Sequence, residues 1–358
     1  MKIAIDTNSV YVTHAGTTRY VLGLFRGLKT LSNPGVTFID LAWRVNNFGY
    51  RQPQKALKTL FRETIWSRCI APRRLAATGA DLLHRCTPSL PIKKPRIMPE
   101  VVTLYDLAIL RYPERFRRWH RFSESRCLPL LNRADKIICI SRFTANEAIN
   151  LTNLPASRLE VIYPGNDFDK SHGQVNEICP QENIPDPFFL FVGSLEPGKN
   201  LALLKDAYSL AKSNGLYLPP LVIVGARWEG IRNEGSPPDN WLYLGHQPDE
   251  ILAWLYQHAL ALLFPSKYEG FGFPPLEAMS CGCPVICSPV ASLPEVCGNA
   301  AMYVEMKTNS YLEAMKIIGR ENSLRQELVQ KGLDQAKCFS WTKCALETLA
   351  VYHQVLIS

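Results

Sequence analysis

The stretch FPSKYEGFGFPPLEAMSCGCPVICSPVASLPEV, residues 264–296, contains two glutamates, Glu269 and Glu277, with seven residues between them. Two glycines and two prolines lie in that interval, so one unbroken helix does not carry both carboxylates. The pattern predicts Glu269 on a loop and Glu277 in the first turn of a helix opened by Pro274 and Pro275. A glycine loop before a helix N-terminus exposes amides that bind phosphate, and nearby carboxylates hold hydroxyl groups. A tight loop with a helix-capping glutamate is the alternative interpretation.

Short apolar runs alternate with amphipathic helical stretches on both sides of this segment. The predicted helices include TTRYVLGLFRGLKTL and NLALLKDAYSLAK. The predicted strands, which have the composition of buried strands, are KIAID, the run before His84 in LLHRCTP, RIMPEVVTLYD, DKIICISR, RLEVIYPG, FFLFVGS, PPLVIVG, ALLFPS and PVICS. This alternation predicts an α/β fold with parallel sheets covered by helices on both faces. The polar, proline-bearing segment 167–187 is expected to link two such domains, whose strand ends would aim loops into a cleft between them.

The length and composition agree with two globular domains. The chain has 358 residues, of which 47% are apolar and 20% are charged. The N-terminal MKIAIDTNSV reads as a strand rather than a secretion signal, and no run of eighteen apolar residues occurs. The cytoplasm is therefore the expected compartment.

Eleven cysteines are scattered through the chain, and Cys281, Cys283, Cys287 and Cys297 lie close together in sequence. No histidine flanks these four at zinc-binding spacing. The total of eleven cysteines is odd, and the chain shows no secretion signal, which disfavours a disulfide framework. We expect small buried thiols and no metal site.

The charge is distributed unevenly. Residues 1–170 contain 27 Lys+Arg and 13 Asp+Glu, whereas residues 171–358 contain 13 and 19. The basic excess is concentrated at Arg44–Arg74 and Arg111–Arg126, and Phe116, Trp119 and Phe122 interleave with the arginines of the second stretch. This pattern is typical of a surface that meets an anionic membrane or an anionic acceptor. A solvated basic helix face explains it equally well. No nucleic-acid-binding motif is present.

A second motif, FVGSLEPGKN, places Lys199 after a strand and at the start of a helix. A lysine beside a helix N-terminus creates a cationic pocket for phosphate. The GxxxxGK[ST] loop of nucleotide triphosphatases is absent. No GxGxxG follows the first strand, which disfavours a nicotinamide-dependent dehydrogenase.

The two motifs, in this order, resemble the retaining glycosyltransferases of family four. The resemblance covers nearly the whole chain, in the segments IAID, TTRYVLGLFRGL, VVTLYDLAIL, ICISRFTANEA, VIYPGND, FVGSLEPGKNL, YLGHQPDEIL, PSKYEGFGFPPLEAMSCGCPVICS and CFSWTKCALETLAVYHQVL. It implies two Rossmann-like domains that face each other across a cleft, the GT-B architecture. It also implies an acceptor-side domain at 1–170, a nucleotide-sugar domain at 171–340, and a C-terminal helix at 341–358 that crosses back to the first domain.

The resemblance also implies roles for individual residues. Glu269 would hold the donor sugar's hydroxyls, Glu277 the ribose hydroxyls, and Lys199 would neutralise the diphosphate. Asp106 would act with Glu269 and Lys199 in the catalytic set. The remaining donor contacts would come from Gly16, Thr17, Gly193, Ser194, Arg227, Gly270, Phe271, Gly272 and Phe273. Candidate acceptor contacts are Arg19, His84 and Tyr105. The alternatives are that Lys199 is a solvent-facing helix start, Gly16 an ordinary turn, Arg19 a surface residue and His84 a packed core residue.

Two departures from the family pattern bear on these roles. The family commonly has Arg at one of the positions of Ser194 and Gly198, and neither residue here is Arg. Arg227, after a later strand, is a candidate replacement for that charge. The family often has His-Asp where this chain has Tyr105-Asp106, so the contact made by that histidine is in question.

The expected activity is transfer of a hexose, with retention at the anomeric carbon and without metal or cofactor. The donor would be a nucleotide-diphosphate sugar such as UDP-glucose or GDP-mannose. The acceptor would be a glycan or a lipid-linked saccharide, met at an anionic membrane surface. Two alternatives stay open: a nucleotide-sugar epimerase or hydrolase on the same scaffold, and a non-catalytic partner subunit.

Overall fold

The chain folds into two compact units, which are Met1–Gly165 together with Phe339–Ser358, and Asn166–Cys338. The computed structural model describes residues 1–11, 16–31, 35–45, 53–88, 92, 94, 98–116, 118–168, 184–226 and 238–357. Among these residues, no helix is both long enough and apolar enough to span a bilayer.

The first unit is built on a six-stranded sheet in the order β2-β1-β3-β4-β5-β6, with every neighbouring pair parallel. The strands are β1 Lys2–Asp6, β2 Thr37–Asp40, β3 Leu82–Arg85, β4 Glu100–Leu104, β5 Lys136–Cys139 and β6 Leu159–Val161. The chain reverses direction across the sheet beside β1, since β2 lies on one side of it and β3 on the other. Ligands of such sheets bind beyond the carboxyl ends of the strands at this reversal.

Helices cover this sheet on its two faces. They are α1 Gly16–Thr30, α2 Pro53–Phe61, α3 Ala71–Thr78, α4 Ala108–Arg111, α5 Arg118–Cys127, α6 Arg142–Leu151 and α13 Trp341–Ile357. A π-helical stretch, Arg62–Ile70, joins α2 to α3, and short 3-10 turns occur at Asn8–Tyr11, Pro113–Arg115, Leu128–Arg133 and Ala156–Arg158. Apolar residues at helical spacing on α1, such as Tyr20, Leu24 and Leu28, are buried as the periodicity predicts.

The C-terminal helix α13 belongs to the first unit, although it follows the second unit in sequence. It packs along α1 and also contacts β5. The prediction that the last helix returns to the first domain is therefore confirmed.

The second unit repeats the architecture, with a parallel sheet in the order β12-β11-β10-β7-β8-β9. Its strands are β7 Phe189–Val192, β8 Leu221–Val224, β9 Trp241–Gly245, β10 Leu262–Phe264, β11 Val285–Cys287 and β12 Ala301–Tyr303. Its helices are α7 Leu201–Ser213, α8 Asp249–His258, α9 Phe273–Ser280, α10 Leu293–Cys297, α11 Thr308–Arg320 and α12 Asn322–Ala336, with a 3-10 turn at Pro197–Lys199. The direction of winding reverses between β7 and β10.

The α/β class of the fold is confirmed, but three strands were not identified from the sequence. These are β2, β9 and β12, and all three lie at the edge of a sheet. An edge strand is covered less completely than a central one, so its residues are mixed rather than continuously apolar. The π-helical stretch was also not predicted, since no residue pattern in the sequence indicates a π-helix.

Candidate active site

The two residues with the strongest sequence signals in the second unit form an ion pair. Lys199 Nζ lies 2.5 Å from Glu269 Oε1. The lysine side chain is 17% exposed and the glutamate side chain 11%, so both charges are largely withdrawn from water but keep some surface that a ligand can reach. The same ammonium lies 5.4 Å from the centroid of the Phe264 ring, a contact that attracts a cation to an aromatic face.

This pair forms because its two loops leave neighbouring strands. Lys199 follows β7 and Glu269 follows β10, and these strands are adjacent where the winding reverses. The amide of Lys267 donates to the carbonyl of Gly198 at 2.8 Å, which joins the two loops directly. The ion pair thus lies at the carboxyl ends of the strands, where open parallel sheets bind ligands.

The loop that carries Lys199 is held by a buried carboxylate, Glu196. Its Oε2 accepts a hydrogen bond of 2.6 Å from the amide of Gly198 and thereby caps the 3-10 turn. At the end of β7, Gly193 lies so close to Gly225 that a Cβ on Gly225 would be 1.9 Å from the Gly193 carbonyl oxygen. Glu196 was not among the predicted residues, although an acid two residues before a glycine in a turn is a capping signal.

The loop that carries Glu269 is held by Ser292. The Ser292 hydroxyl lies 2.9 Å from the Glu269 carbonyl oxygen and 2.7 Å from that of Phe271, so it donates to both. Gly272 caps α9 with φ +111°, a left-handed conformation that favours glycine. These contacts hold Gly270 and its neighbours against the start of α9. Ser292 was not among the predicted residues.

Glu277 is buried, and Tyr256 of α8 donates a hydrogen bond of 3.0 Å to its Oε2. The prediction that Glu277 lies in the first turn of the helix is wrong by one position. The helix begins at Phe273, so Glu277 is its fifth residue and lies in the second turn. The helix starts earlier than the prolines because Gly272 provides the cap. Tyr256 also was not predicted, since its sequence position shows only an apolar helix face.

Three of the other predicted donor residues of this unit lie in the two loops that carry Lys199 and Glu269 or at the start of α9. Ser194 is half-buried and follows β7, and its carbonyl accepts from the amide of Glu196 at 3.0 Å. The rings of Phe271 and Phe273 meet edge to face at 5.2 Å between centroids. Arg227 lies outside the described residues.

In the first unit, Gly16 and Thr17 are the first two residues of α1, at its N-terminus. Arg19 is on the same first turn and is half-buried. A helix N-terminus with amides and a guanidinium in its first turn favours an anionic ligand.

Tyr105 and Asp106 follow β4 at the carboxyl edge of the first sheet. Asp106 is exposed, and its Oδ1 accepts from the amide of Ala108 at 2.8 Å. The Tyr105 hydroxyl oxygen is buried and has no hydrogen-bond partner within the described residues. Burial raises the pKa of Tyr105 well above its ordinary value, so its hydroxyl stays protonated and is able to donate.

His84 lies inside the first unit rather than at its surface. Its Nδ1 is 2.6 Å from the Tyr352 hydroxyl of α13, and its Nε2 is 2.9 Å from Oγ1 of Thr103. The ring is fully buried, and burial, followed by the charge of Arg85, lowers the pKa of His84 to about 3. Both nitrogens are therefore occupied by protein, which favours a packing role over contact with an acceptor.

The four clustered cysteines are buried free thiols, as expected. The pKa values of Cys283 and Cys297 are raised, that of Cys283 chiefly by burial and that of Cys297 by its hydrogen bond with Cys287 and by burial. Neutral thiols are poor metal ligands and poor nucleophiles. Among the described residues, no group of three or more His, Cys, Asp or Glu side chains could hold a metal ion.

Around the reversal point of its sheet, the described part of the second unit brings together the Lys199 ammonium, the accessible carboxylate of Glu269, the N-terminus of α9 and two buried carboxylates, Glu196 and Glu277. An ammonium has three donors, so Lys199 can keep its bond to Glu269 and still donate to a diphosphate. The arrangement suits a ligand that is anionic at one end and rich in hydroxyl groups at the other.

Comparison with known proteins gives a consistent picture. The model of Glycosyltransferase Family 4 matches residues 16–170, and that of Glycosyl transferases group 1 matches residues 175–334. O-antigen chain mannosyltransferase B of Escherichia coli is 31% identical over an alignment of 383 positions, gaps included. The alignment covers 98% of this chain and 99% of that protein.

Solved structures share the fold over its full length. Sucrose-phosphate synthase from Thermosynechococcus elongatus matches with a TM-score of 0.74 at 20% identity, covering 100% of this chain and 99% of that one. Anabaena HepE, in its complex with UDP-glucose, matches with a TM-score of 0.68 at 17% identity, covering 99% and 100%.

Proposed function

This chain belongs to glycosyltransferase family four, and on that premise we propose that it moves a hexose from a nucleotide-diphosphate sugar to a glycan or lipid-linked saccharide. It is a glycosyltransferase. One relative that matches along the whole chain is an O-antigen chain mannosyltransferase, which supports mannose as the hexose and polysaccharide assembly as the process. GDP-mannose is therefore the first donor to test and UDP-glucose the second.

The observation that carries this proposal is the Lys199–Glu269 pair at the reversal point of the second sheet. The donor's diphosphate would bind to Lys199, to the amide of Ser194 and to those of the loop before α9. Gly193 would lie beside it without donating, because its own amide donates to the carbonyl of Val224 at 3.0 Å. The sugar's hydroxyls would bind to Glu269, and the ribose hydroxyls to Glu277, whose carboxylate Tyr256 already orients.

The hard step of the reaction is departure of the nucleoside diphosphate, because negative charge accumulates on the leaving group while the sugar becomes positive. Lys199 would stabilise the leaving group, and fixed backbone amides would add to it without a cost of reorganisation. Glu269, held in place by Ser292, would stabilise the sugar as its positive charge develops. With Lys199 and the amides stabilising the leaving group and Glu269 stabilising the sugar, the proposed mechanism needs no metal and is compatible with retention of anomeric configuration.

The first unit would bind the acceptor. Asp106 at the end of β4 and Arg19 at the start of α1 are the proposed contacts. The Tyr105 hydroxyl, also a predicted acceptor contact, is buried inside the unit and does not present itself to an acceptor. The amides of Gly16 and Thr17 are instead proposed contacts of the donor, to its phosphates. A lipid-linked acceptor would bring the enzyme to the inner face of the cytoplasmic membrane as a peripheral protein.

The test has two stages. Thermal melting in the presence of GDP, UDP and other nucleoside diphosphates should identify one that raises Tm, since a ligand at a hundredfold excess over its Kd adds about 2.7 kcal/mol to stability. The matching sugar nucleotide is then incubated with and without acceptor glycan, and the linkage of the product is determined by NMR.

Acceptor-dependent release of nucleoside diphosphate with a retained anomeric configuration is expected. Rapid release without acceptor would indicate a hydrolase, and an altered sugar nucleotide would indicate an epimerase. Binding without any turnover would indicate a non-catalytic subunit, and an inverted product would contradict the proposed mechanism.

A further inference from the structure

The longest helical rod of the first unit carries an apolar stripe on its exposed side. The elements α2, the π-helical stretch Arg62–Ile70 and α3 form one continuous rod of 26 residues, because the backbone stays right-handed helical at both junctions. On its outer side Leu57 is 69% exposed, Leu60 54% and Ile65 46%. We call these three side chains the apolar stripe. Leu57 and Leu60 are three residues apart on α2, and Ile65 follows five residues later, within the wider π-helical stretch.

The stripe lies on the first half of the rod, which has fewer buried residues than the second half. The rod is roughly 35–39 Å long, whereas a five-residue strand such as β1 measures about 17 Å. Trp66, Ala71 and Leu75 anchor the later part of the rod in the core. In α2, by contrast, Thr59 is the buried residue.

The direction of the chain shows which edge of the sheet the stripe lies nearer to. The rod lies between β2 and β3 in sequence, so it starts near the carboxyl ends of the strands and returns to their amino ends. Just after the rod, the amide of Asp81 donates to the carbonyl of Lys2, the first residue of β1, and the amide of Leu83 donates to the carbonyl of Pro99, just before β4. Both bonds lie at the amino edge of the sheet. The stripe, in the first half of the rod, therefore lies toward the carboxyl edge, where Tyr105 and Asp106 also lie.

The charge around the stripe selects its partner. Residues 53–78 contain six Lys or Arg and one acidic residue, Glu63. Lys58 and Arg68 flank the stripe and are exposed, as are Arg73 and Arg74 further along the rod. A protein partner would need an apolar groove rimmed by acids, whereas an anionic bilayer offers both components at once. Apolar side chains enter the acyl boundary while lysine and arginine heads reach the phosphates.

We propose that the apolar stripe, with Lys58 and Arg68 beside it, is the surface by which this enzyme docks on an anionic membrane. The inference rests on the proposed function, since it explains how an acceptor held in a bilayer reaches the acceptor side of the first unit. It assigns the contact to the rod at 53–78 rather than to the basic stretch Arg111–Arg126.

The test is sedimentation of the full-length protein with phosphatidylcholine vesicles that contain or lack phosphatidylglycerol. The wild type should bind only the anionic vesicles, and binding should fall as salt is raised. The triple variant Leu57→Gln/Leu60→Gln/Ile65→Gln should lose at least about tenfold in partitioning, because each buried apolar side chain supports a factor of this order. Lys58→Gln/Arg68→Gln should weaken binding to a smaller degree.

Control variants separate this proposal from its competitors. Leu346→Gln and Ile149→Gln change exposed apolar residues elsewhere in the unit and should leave binding unchanged. If Phe122→Gln abolishes binding and the triple variant does not, the contact lies at Arg111–Arg126 and the proposal is wrong. If the wild type is a dimer in solution that the triple variant dissociates, the stripe is a self-association surface and the proposal is again wrong.

The outcome can be distinguished from a failure of the proposed function. The triple variant changes exposed side chains, so its melting temperature and its turnover with a water-soluble acceptor should match those of the wild type. Vesicle binding without sugar transfer would uphold the docking surface and reject the activity. Transfer of sugar to a soluble acceptor by a wild-type protein that does not bind vesicles would uphold the activity and reject the docking surface.

Discussion

Gly23 of α1 lies directly against the indole of Trp341 in α13, so that a Cβ on Gly23 would be 2.1 Å from Cε2 of the ring. Two further glycines surround the same residue. A Cβ on Gly27 would lie 2.5 Å from the Trp341 carbonyl oxygen, and one on Gly165 would lie 2.1 Å from the Trp341 amide nitrogen. The C-terminal helix thus returns to the first unit through a socket in which only glycine fits.

Gly23→Ala is expected to destabilise the first unit, because the added methyl group collides with a ring that has no room to move. Overpacking of this kind costs about 1–3 kcal/mol. The measurement is urea unfolding followed by fluorescence. Gly319→Ala is the matched control, since Gly319 also lies in a helix but has nothing within 4 Å of an added Cβ. That substitution should stabilise the protein by roughly 0.5–1 kcal/mol, and an equal loss in both variants would contradict the socket.

Gly272→Ala should lower both stability and donor affinity. Its φ of +111° is unfavourable for alanine, and the new Cβ would be 2.8 Å from Cδ2 of Leu293. Gly215→Ala separates the two effects, because Gly215 also has a positive φ, +65°, but open space around it. We expect about 1 kcal/mol from the backbone at Gly215 and clearly more at Gly272. Calorimetry with the cognate nucleoside diphosphate would show weaker binding for Gly272→Ala alone.

Lys199→Ala should reduce kcat by about 100- to 1,000-fold, because loss of one fixed donor to a developing anion costs that much in related chemistry. The measurement is release of nucleoside diphosphate under saturating donor. Lys212→Ala is the control, since Lys212 pairs with Asp239 at 3.1 Å on the open surface and should have no effect. A Lys199→Ala variant with nearly normal kcat would show that the leaving group is stabilised elsewhere.

Tyr256→Phe should raise KM for the donor by about tenfold with a smaller change in kcat. The variant removes the hydroxyl that orients Glu277, and a hydrogen bond to a charged group contributes roughly 1.5–3 kcal/mol. Tyr208→Phe is the matched control, because the Tyr208 hydroxyl donates to the Pro219 carbonyl in the same unit. The control should lose stability without a change in donor KM. If both variants behave alike, Tyr256 has only a packing role.

His84 should make the stability of the first unit depend on pH. Its pKa of about 3 in the folded state lies below the ordinary value of 6.5, so the unfolded chain binds a proton that the folded chain excludes. Stability is therefore full above pH 6.5 and falls as pH decreases toward 3, with a slope of up to about 1.4 kcal/mol per pH unit. Urea unfolding at a series of pH values should show a shallower slope for His84→Gln than for the wild type, and identical slopes would refute the assignment.

The position of the donor loop could be predicted from local sequence, but the contacts that hold it could not. Glycine and proline restrict the backbone directly, so the interval between Glu269 and Glu277 predicts a loop and a helix start. The partners Ser292 and Tyr256 lie 23 and 21 residues away from their acceptors. Nothing in the sequence around a serine or a tyrosine shows which loop it will face.

The sequence by itself determined the class of the fold, the family and the loops that carry Lys199 and Glu269. It did so because apolar periodicity records burial, and because glycine and proline leave few backbone conformations. Only the tertiary structure decided that these two residues pair. They are 70 positions apart in the chain, and they meet because β7 and β10 are neighbours in the sheet. It also decided that His84 is a core residue, because Tyr352, 268 positions later, returns to bind it. Strand order and helix docking arise from the packing of the whole chain, which no local pattern records.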